Sequence, residues 1–488
     1  MNSRQLAIIP LLILVYYFVH YTTDLFYFIT ARDVLIQFGK YLLCTALLFA
    51  VGYRLFKNKA AYTLGFATVF FIFLFFGSVI DTAASLHFLK PVAVVDTKMI
   101  IVFLAVCLLV IFICSKLNAA LIKRLLRFWL IYCLVLILYD AGIFLLSEKK
   151  EKKYLTGTTL KGKLAGAAKP AVFFLLFDMY PSDTVLKRYL GYDNSGLGAF
   201  LKGNDFFVTG NAHSLYSETY YSLASTFSLQ PLPYFNDSTI PDYKKKLAAL
   251  KNIEHEDLPG LFENAGYRFR NFSVFNLQGQ QSPLQFNLNY HLENALTATT
   301  FFNRWYDGFE PDFFLANRGI DLGFIKTSWS SNEKADIAFL EQRFNQLMDS
   351  FPALQQPSFN YFHFMMPHPP MLYDSNGHEN SIKDMYAYNG FEKTNQNYTG
   401  YIKYANTVIK KMVSRIFEKA GRNVVIIVQG DHGYREFNDR FPDAVRYGIL
   451  NAVYMPAKQY NGLNDSMTPV HTFKQVLSQQ FGFAEPDR

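Results

Sequence analysis

Cysteine is scarce in this chain: 488 residues hold only Cys44, Cys107, Cys114 and Cys133, and none follows residue 133. The long C-terminal part therefore has no disulfides, thiolate nucleophiles or thiolate metal ligands, and any metal it holds sits on oxygen and imidazole. Nucleotide loops are missing as well. No Walker sequence occurs, and Gly196-Leu-Gly198 lacks the third glycine of a dinucleotide fingerprint. No internal period recurs, which excludes a repeat architecture. Excess positive charge is absent where a nucleic-acid surface would need it. Residues 1–153 hold 16 Lys+Arg against 7 Asp+Glu, whereas the remainder holds 31 against 32. The basic balance belongs to the first part alone, and nucleic acid is excluded as a partner.

What the first part does have is long apolar runs, at 6–23, 35–53, 62–80, 99–115 and 128–147, each near the length that crosses a bilayer. Five transmembrane helices are expected over 1–147. Stretches such as Phe70–Phe76 offer no polar face to water, which argues against buried soluble helices. Lysines and arginines outside the runs divide eight to three, with Arg4, Arg54, Lys57, Lys59, Lys116, Lys123, Arg124 and Arg127 on one side and Arg32, Lys90 and Lys98 on the other. That bias places the N-terminus in the cytoplasm and exports everything after the fifth run. The first run has no small-residue cleavage site and reads as an anchor. Lys40 and Asp140 are charged positions within runs, a default signal of function, against which stand snorkelling for Lys40 and a place near the outer end of the fifth run for Asp140. Residues 148–169 have linker composition. So short a tether keeps the exported domain near the lipid surface and points to a membrane lipid or lipid-linked glycan as substrate.

Residues 170–488 alternate short apolar strands with helical patterns, which predicts an α/β sandwich with a largely parallel sheet. Strands are expected at 171–177, 206–209, 267–275, 359–364, 423–429 and 449–455. Ligands of such sheets bind beyond the carboxyl ends of strands. Asp178 follows the first strand, Gly430-Asp431-His432-Gly433 follows a late one, and the strand at 359–364 carries His363 and leads to Pro367-His368-Pro369-Pro370. Segment 214–225 turns helical near Thr219, where a helix N-terminus favours a developing alkoxide. Threonine needs a metal or base to ionise it, and Asp178, Asp431 and His432 are suitable ligands.

At these residues the sequence resembles the alkaline phosphatase and sulfatase superfamily, and the five-span layout is similar to lipoteichoic acid synthases and phosphoethanolamine transferases. The resemblance covers about 171–480 as an ordered series: an Asp ending the first strand, a Thr some forty residues on, a His-Pro loop, then Asp-His-Gly. It implies that Asp178, Thr219, Asp431 and His432 hold one catalytic divalent metal, manganese or zinc by family and magnesium or calcium by ligand chemistry, with Thr219 also the nucleophile. It implies substrate contacts for His368, His363 and Arg435. Leu215 and Ser228 stand where the nearest members carry asparagine, a departure at substrate-contacting positions. Formylglycine chemistry is ruled out by the residues after Thr219, Tyr-Tyr-Ser-Leu, in place of x-Pro-x-Arg.

These features lead to a metal-dependent transferase, moving phosphoglycerol or phosphoethanolamine from a lipid to an exported acceptor through a phospho-threonine intermediate. A sulfatase-like hydrolase of phosphate or sulfate esters shares the same residues, and an inactive membrane scaffold is the alternative from another class. Asp374 and His378 have the spacing of a second zinc site with His471 as a third ligand; the competing reading is a polar turn.

Overall fold

The computed structural model describes residues 3–85, 97–147, 164–166, 169–255, 257–288, 292, 294–309, 328–354, 356–385 and 390–483. The chain divides into two compact units, one of Met1–Lys153 with Tyr290–Phe314, the other of Tyr154–Asn289 with Leu315–Arg488. Residues 148–163, most of the expected linker, lie outside the described residues.

The first unit holds α1 (Ser3–Leu25), α2 (Ala31–Leu55), α3 (Lys59–Leu74), α4 (Phe76–Ser85), α5 (Thr97–Lys116) and α6 (Ala119–Ser147). Helix α1 is the centre of the bundle, with Ile9, Ile13, Leu14 and Tyr17 fully buried. The outer helices turn apolar side chains outward, as a lipid solvent requires: Leu108 is 67% exposed and Leu138 71%. Three helices, α1, α2 and α6, are long and apolar enough to cross a membrane. A fourth crossing results if α3 and α4, bent by 61° at their junction, count as one span; the apolar stretch Ile100–Lys116 of α5 is shorter. The described residues thus hold three or four such spans where the sequence predicts five.

A second difference concerns residues 290–314, which the sequence places in the exported domain. Their described residues 294–309 pack with the N-terminal helices. The Tyr17 hydroxyl donates to the Leu296 carbonyl at 2.9 Å, the Gly77 N–H donates to the Thr299 carbonyl at 2.6 Å, and Arg304 pairs with Asp81. Phe301 stacks on Phe103 with ring centroids 4.0 Å apart. These tertiary contacts, and not the local pattern, assign the segment.

The second unit is built on a six-stranded sheet of β1 (Ala171–Phe177), β2 (Phe207–Val208), β3 (Arg268–Phe272), β4 (Ser358–Phe364), β5 (Val424–Gly430) and β6 (Asn451–Tyr454), in the order β2-β6-β5-β1-β4-β3. Strands β3, β4, β1 and β5 are parallel; β6 is antiparallel to β5, and β2 to β6. All six expected strands form. Continuous apolar runs suit β1, β4 and β5, which are buried along their whole length, as central strands covered on both faces must be. The helix Phe391–Ala420 covers the sheet with Tyr398, Tyr401, Ile402, Ala405, Ile409, Met412 and Ile416, a helical stripe of period three to four. Register decides the rest: Phe177 pairs with Phe364 on one side and Gly430 on the other, so β1, β4 and β5 end level with one another.

Candidate metal centre

Because the three central strands end level, the residues that follow them converge. Asp178 leaves β1 with its N–H still bonded to the Phe364 carbonyl at 2.9 Å, and Asp431 leaves β5. Two glycines let the β5 loop lie flat against its neighbours. A Cβ on Gly430 would stand 2.3 Å from the Tyr180 carbonyl oxygen, and one on Gly433 2.3 Å from that of Val445. Thr219 is the first residue of helix α7 (Thr219–Phe227), and its N-cap, Glu218, makes no capping bond, so the first turn keeps its positive potential.

Four of the sequence-predicted residues meet here. Ligand atoms of Asp178, Asp431 and His432 all lie within 4.8 Å of one another. The Thr219 hydroxyl donates to Asp178 Oδ2 at 3.3 Å. His432 Nε2 is 3.6 Å from Asp178 Oδ1 and 3.5 Å from Asp431 Oδ2. A fifth joins them: His363 Nε2 is 3.5 Å from Asp178 Oδ2, and its Nδ1 faces the Tyr361 hydroxyl at 3.1 Å.

Asp431 is held from behind. Asp431 Oδ1 accepts the N–H of Met179 at 2.9 Å and of His432 at 2.8 Å. Met179 delivers its N–H from a left-handed backbone conformation, φ 58°, and its carbonyl accepts the Tyr398 hydroxyl at 2.5 Å. Ser222 of α7 donates to the Asp431 carbonyl at 2.6 Å and accepts from Ser214 at 2.9 Å, so a hydroxyl relay ties α7 to the β5 loop. His432 Nδ1–H donates to the Gly433 carbonyl at 2.8 Å, which leaves the Nε2 lone pair facing the two carboxylates, the tautomer a metal ligand needs.

The residues fit a divalent cation on a further observation. Asp178 Oδ1, Asp431 Oδ2, His363 Nε2 and His432 Nε2 are buried and have no hydrogen-bond partner. Orphaned buried polar atoms are rare and costly, and here three of them meet around His432 Nε2, with the fourth, His363 Nε2, beside Asp178. Burial, then the Asp178 charge, pushes the Asp431 carboxyl up to about 7. Burial, then Arg435, pulls the His432 imidazole down to about 3, so it is neutral at physiological pH. Burial would raise Asp178, but His368, His363 and His432 outweigh it and hold this carboxyl below the usual range. The two acids are thus pushed apart, as two carboxylates sharing one site are.

His368 and Arg435 form a separate pair at this rim. Arg435 Nη2 is 3.2 Å from His368 Nε2, and His368 Nδ1 is 2.6 Å from the Pro369 carbonyl. The second-metal alternative gains no support. Asp374 Oδ1 accepts the N–H groups of Asn376 and His378 at 2.8 and 2.9 Å, a polar turn, while His471 Nε2 faces the Gly462 carbonyl at 3.0 Å. Sequence reasoning missed Glu333, a buried acid in the helix Ser328–Ser350; burial first, then the charges of Asp178 and Asp336, push its carboxyl well above the usual range. It also missed Ser222, whose signal was present in the hydroxyl-rich run 214–225.

Among known proteins, the family model for sulfatases matches residues 200–473, more than half of the chain. No curated protein matches it. Among solved structures, similarity extends to the integral membrane lipooligosaccharide phosphoethanolamine transferase A of Neisseria meningitidis, with 12% identity, a TM-score of 0.45 and coverage of 100% of this chain and 96% of that one. A zinc complex of the C-terminal periplasmic domain of EcEptC from Escherichia coli is similar at 11% identity and TM-score 0.36, over 67% of this chain and 86% of that one. The phosphonate monoester hydrolase of Agrobacterium radiobacter is similar at 12% identity and TM-score 0.38, over 64% and 74%. With the family model spanning most of the second unit and the ordered residues converging at the ends of its central strands, the chain belongs to the sulfatase family, in the alkaline phosphatase and sulfatase superfamily, and is a sulfatase-like enzyme.

Proposed function

We propose that this chain is a membrane-anchored transferase that moves a phospho-alcohol headgroup, of the phosphoethanolamine or phosphoglycerol type, from a lipid to an exported acceptor. The observation that carries this reading is the Thr219 hydroxyl, at a helix N-terminus and 3.3 Å from a carboxylate whose other oxygen has no partner. In this reading α3–α4 and α5 also cross, which makes five spans, the N-terminus is cytoplasmic, and residues 170–488 work on the outer face of the inner membrane, tethered by 148–169.

Asp178, Asp431, His432 and Thr219 would hold one divalent ion, manganese or zinc in preference to magnesium or calcium. Such an ion supplies positive charge that lowers the pKa of the threonine hydroxyl and offsets charge building on the phosphoryl oxygens. The Thr219 oxygen attacks phosphorus in line, its bond to phosphorus forms, and the bond from phosphorus to the diacylglycerol oxygen breaks. The net proton movement is from the Thr219 hydroxyl to the departing oxygen. The acceptor hydroxyl then attacks the phospho-threonine, takes the headgroup and gives up its proton in return. Arg435 and His368 contact the phosphate, and His363 steadies Asp178 from the β4 side.

Membership of the sulfatase family favours a second reading, in which water is the acceptor and the product is free phosphorylated alcohol. Product analysis separates the two. Purified protein given headgroup-labelled phospholipid and a lipid-linked glycan should pass label to the glycan. Label released only to water would establish the hydrolase instead.

A further inference from the structure

The first unit contains a cavity of about 580 Å³ between α2, α3 and α5. Its walls are apolar side chains such as Leu48 of α2, Val69 and Phe70 of α3 and Ile111 of α5. Polar groups lie toward its two ends, Lys40 at one and Asn58 with Ser115 at the other. Water has few partners along the middle of such a space, and the cavity is several times larger than the roughly 150 Å³ apolar cavities that stay dry. It calls for an apolar occupant.

The shape of the lining fits a chain-like one. On α3 the lining runs from Ala61 to Phe73, about 18 Å of helix, slightly more than the roughly 15 Å that one leaflet contributes to a hydrocarbon core. Gly65 opens the wall midway. A Cβ there would touch Cys114 Cβ at 3.8 Å and Ile111 Cα at 3.9 Å, so anything larger must strike α5 or enter the cavity.

The charged end lies at headgroup level. Tyr41, next to Lys40, has its hydroxyl 3.3 Å from Thr300 Oγ1, in the turn that also carries Thr299 and follows the short 3₁₀ helix Ala295–Thr297. Arg304, four residues on, pairs with Asp81, and both side chains are partly exposed; an exposed ion pair is not tolerated against lipid tails, so this level marks the membrane surface. Phe302 lines the same cavity and is 53% exposed. Lys40 lines the cavity and makes no ion pair among the described residues.

We propose that the cavity binds one membrane phospholipid, an acyl chain in the slot and the headgroup phosphate on Lys40. The inference goes beyond the transferase reading and does not depend on it, since a chain without turnover would bind the same lipid. The competing account is a lysine that only snorkels, with the cavity empty.

The test is native mass spectrometry of the full chain extracted in mild detergent and supplied with phosphatidylglycerol or with uncharged diacylglycerol. The wild type, and equally Thr219→Ala, should retain one phospholipid per chain. Gly65→Leu and Ala61→Phe, two independent ways to fill the slot, should each lower retention at least about tenfold. Leu138→Phe, on an outward face, should leave it unchanged. Lys40→Gln should weaken phosphatidylglycerol about fivefold, the weight of one lysine at an anionic surface, and leave diacylglycerol unaffected. A wild type without stoichiometric lipid, filled variants that retain as much as Leu138→Phe, or a Lys40→Gln chain that treats both lipids alike would overturn the proposal.

Discussion

Arg435 points a guanidinium N–H at His368, with Nη2 3.2 Å from Nε2, while His368 Nδ1 faces the Pro369 carbonyl at 2.6 Å. A guanidinium only donates, so Nε2 is the accepting nitrogen and Nδ1 carries the proton. The imidazole is therefore clamped at both ends. An incoming phosphate, a stronger acceptor than imidazole, should draw Arg435 away and release Nε2 toward the substrate.

Arg435→Gln should accordingly lower kcat/KM for headgroup transfer by roughly a hundredfold, the usual weight of one charged donor on a phosphoryl group. Steady-state kinetics with labelled phospholipid checks this. A variant within about twofold of wild type removes Arg435 from the pocket.

Thr219→Ala should abolish transfer, a loss of at least about ten-thousandfold, with the protein still folded in the membrane. Thr219→Ser should keep part of the activity, because it retains the attacking oxygen. Trapping labelled donor on the wild type and finding the label on Thr219 by peptide mass analysis would complete the case; undiminished turnover of the alanine variant would end it.

Metal affinity should depend on pH through Asp431. Burial and the Asp178 charge raise this carboxyl to about 7, whereas His432 is already neutral above about 3. Binding an ion must then expel one proton below pH 7, so affinity should fall about tenfold for each pH unit from about 7 to about 5. Competition against a chromogenic chelator measures it, and metal analysis of the purified chain at neutral pH would expose an inactive scaffold by finding no ion.

Stability of the stripped protein should move the other way. The folded pKa of Asp431 lies above its ordinary value of 3.8, so its contribution to stability is lost as pH rises from about 4 to about 7. Asp431→Asn keeps an acceptor for the Met179 and His432 N–H groups and cannot ionise. In chelator it should unfold later than wild type at pH 8 and show little advantage at pH 4, read from thermal unfolding in detergent.

Burial and then the Asp178 charge push the Glu333 carboxyl well above the usual range, so the fold favours its protonated form. Glu333→Gln is thus nearly isosteric with the native state and should cost under about 1 kcal/mol at pH 7. It should also resist alkaline unfolding better than wild type, because the raised acid loses stability as pH climbs toward its folded pKa. A larger loss at pH 7 would mean that Glu333 is ionised and paired.

Much of this was legible in the sequence because local pattern and tertiary role coincide. The apolar run of β1 ends in Asp178 and that of β5 in Gly430-Asp431-His432-Gly433, and equal strand lengths bring the ends together. His363 was ambiguous, since alternation within β4 cannot show that its Nε2 stands 3.5 Å from Asp178. The packing of residues 294–309 was not legible because Phe301, Phe302 and Trp305 make an amphipathic helix suited to either unit; only partners such as Tyr17, Tyr41 and Phe103 show it. The bend at Phe75 was hidden inside one apolar run, with Gly77 as its sole local hint.

The Asp431 carboxylate is stitched to two backbone amides, one from the β1 loop and one from its own. That stitch joins neighbouring strand tails whether or not a cation is present. The ligands are consequently arranged in advance, and ion capture requires no refolding of the loops. An enzyme built this way should survive repeated stripping and reloading, and should accept ions of differing size only as far as this rigid frame permits.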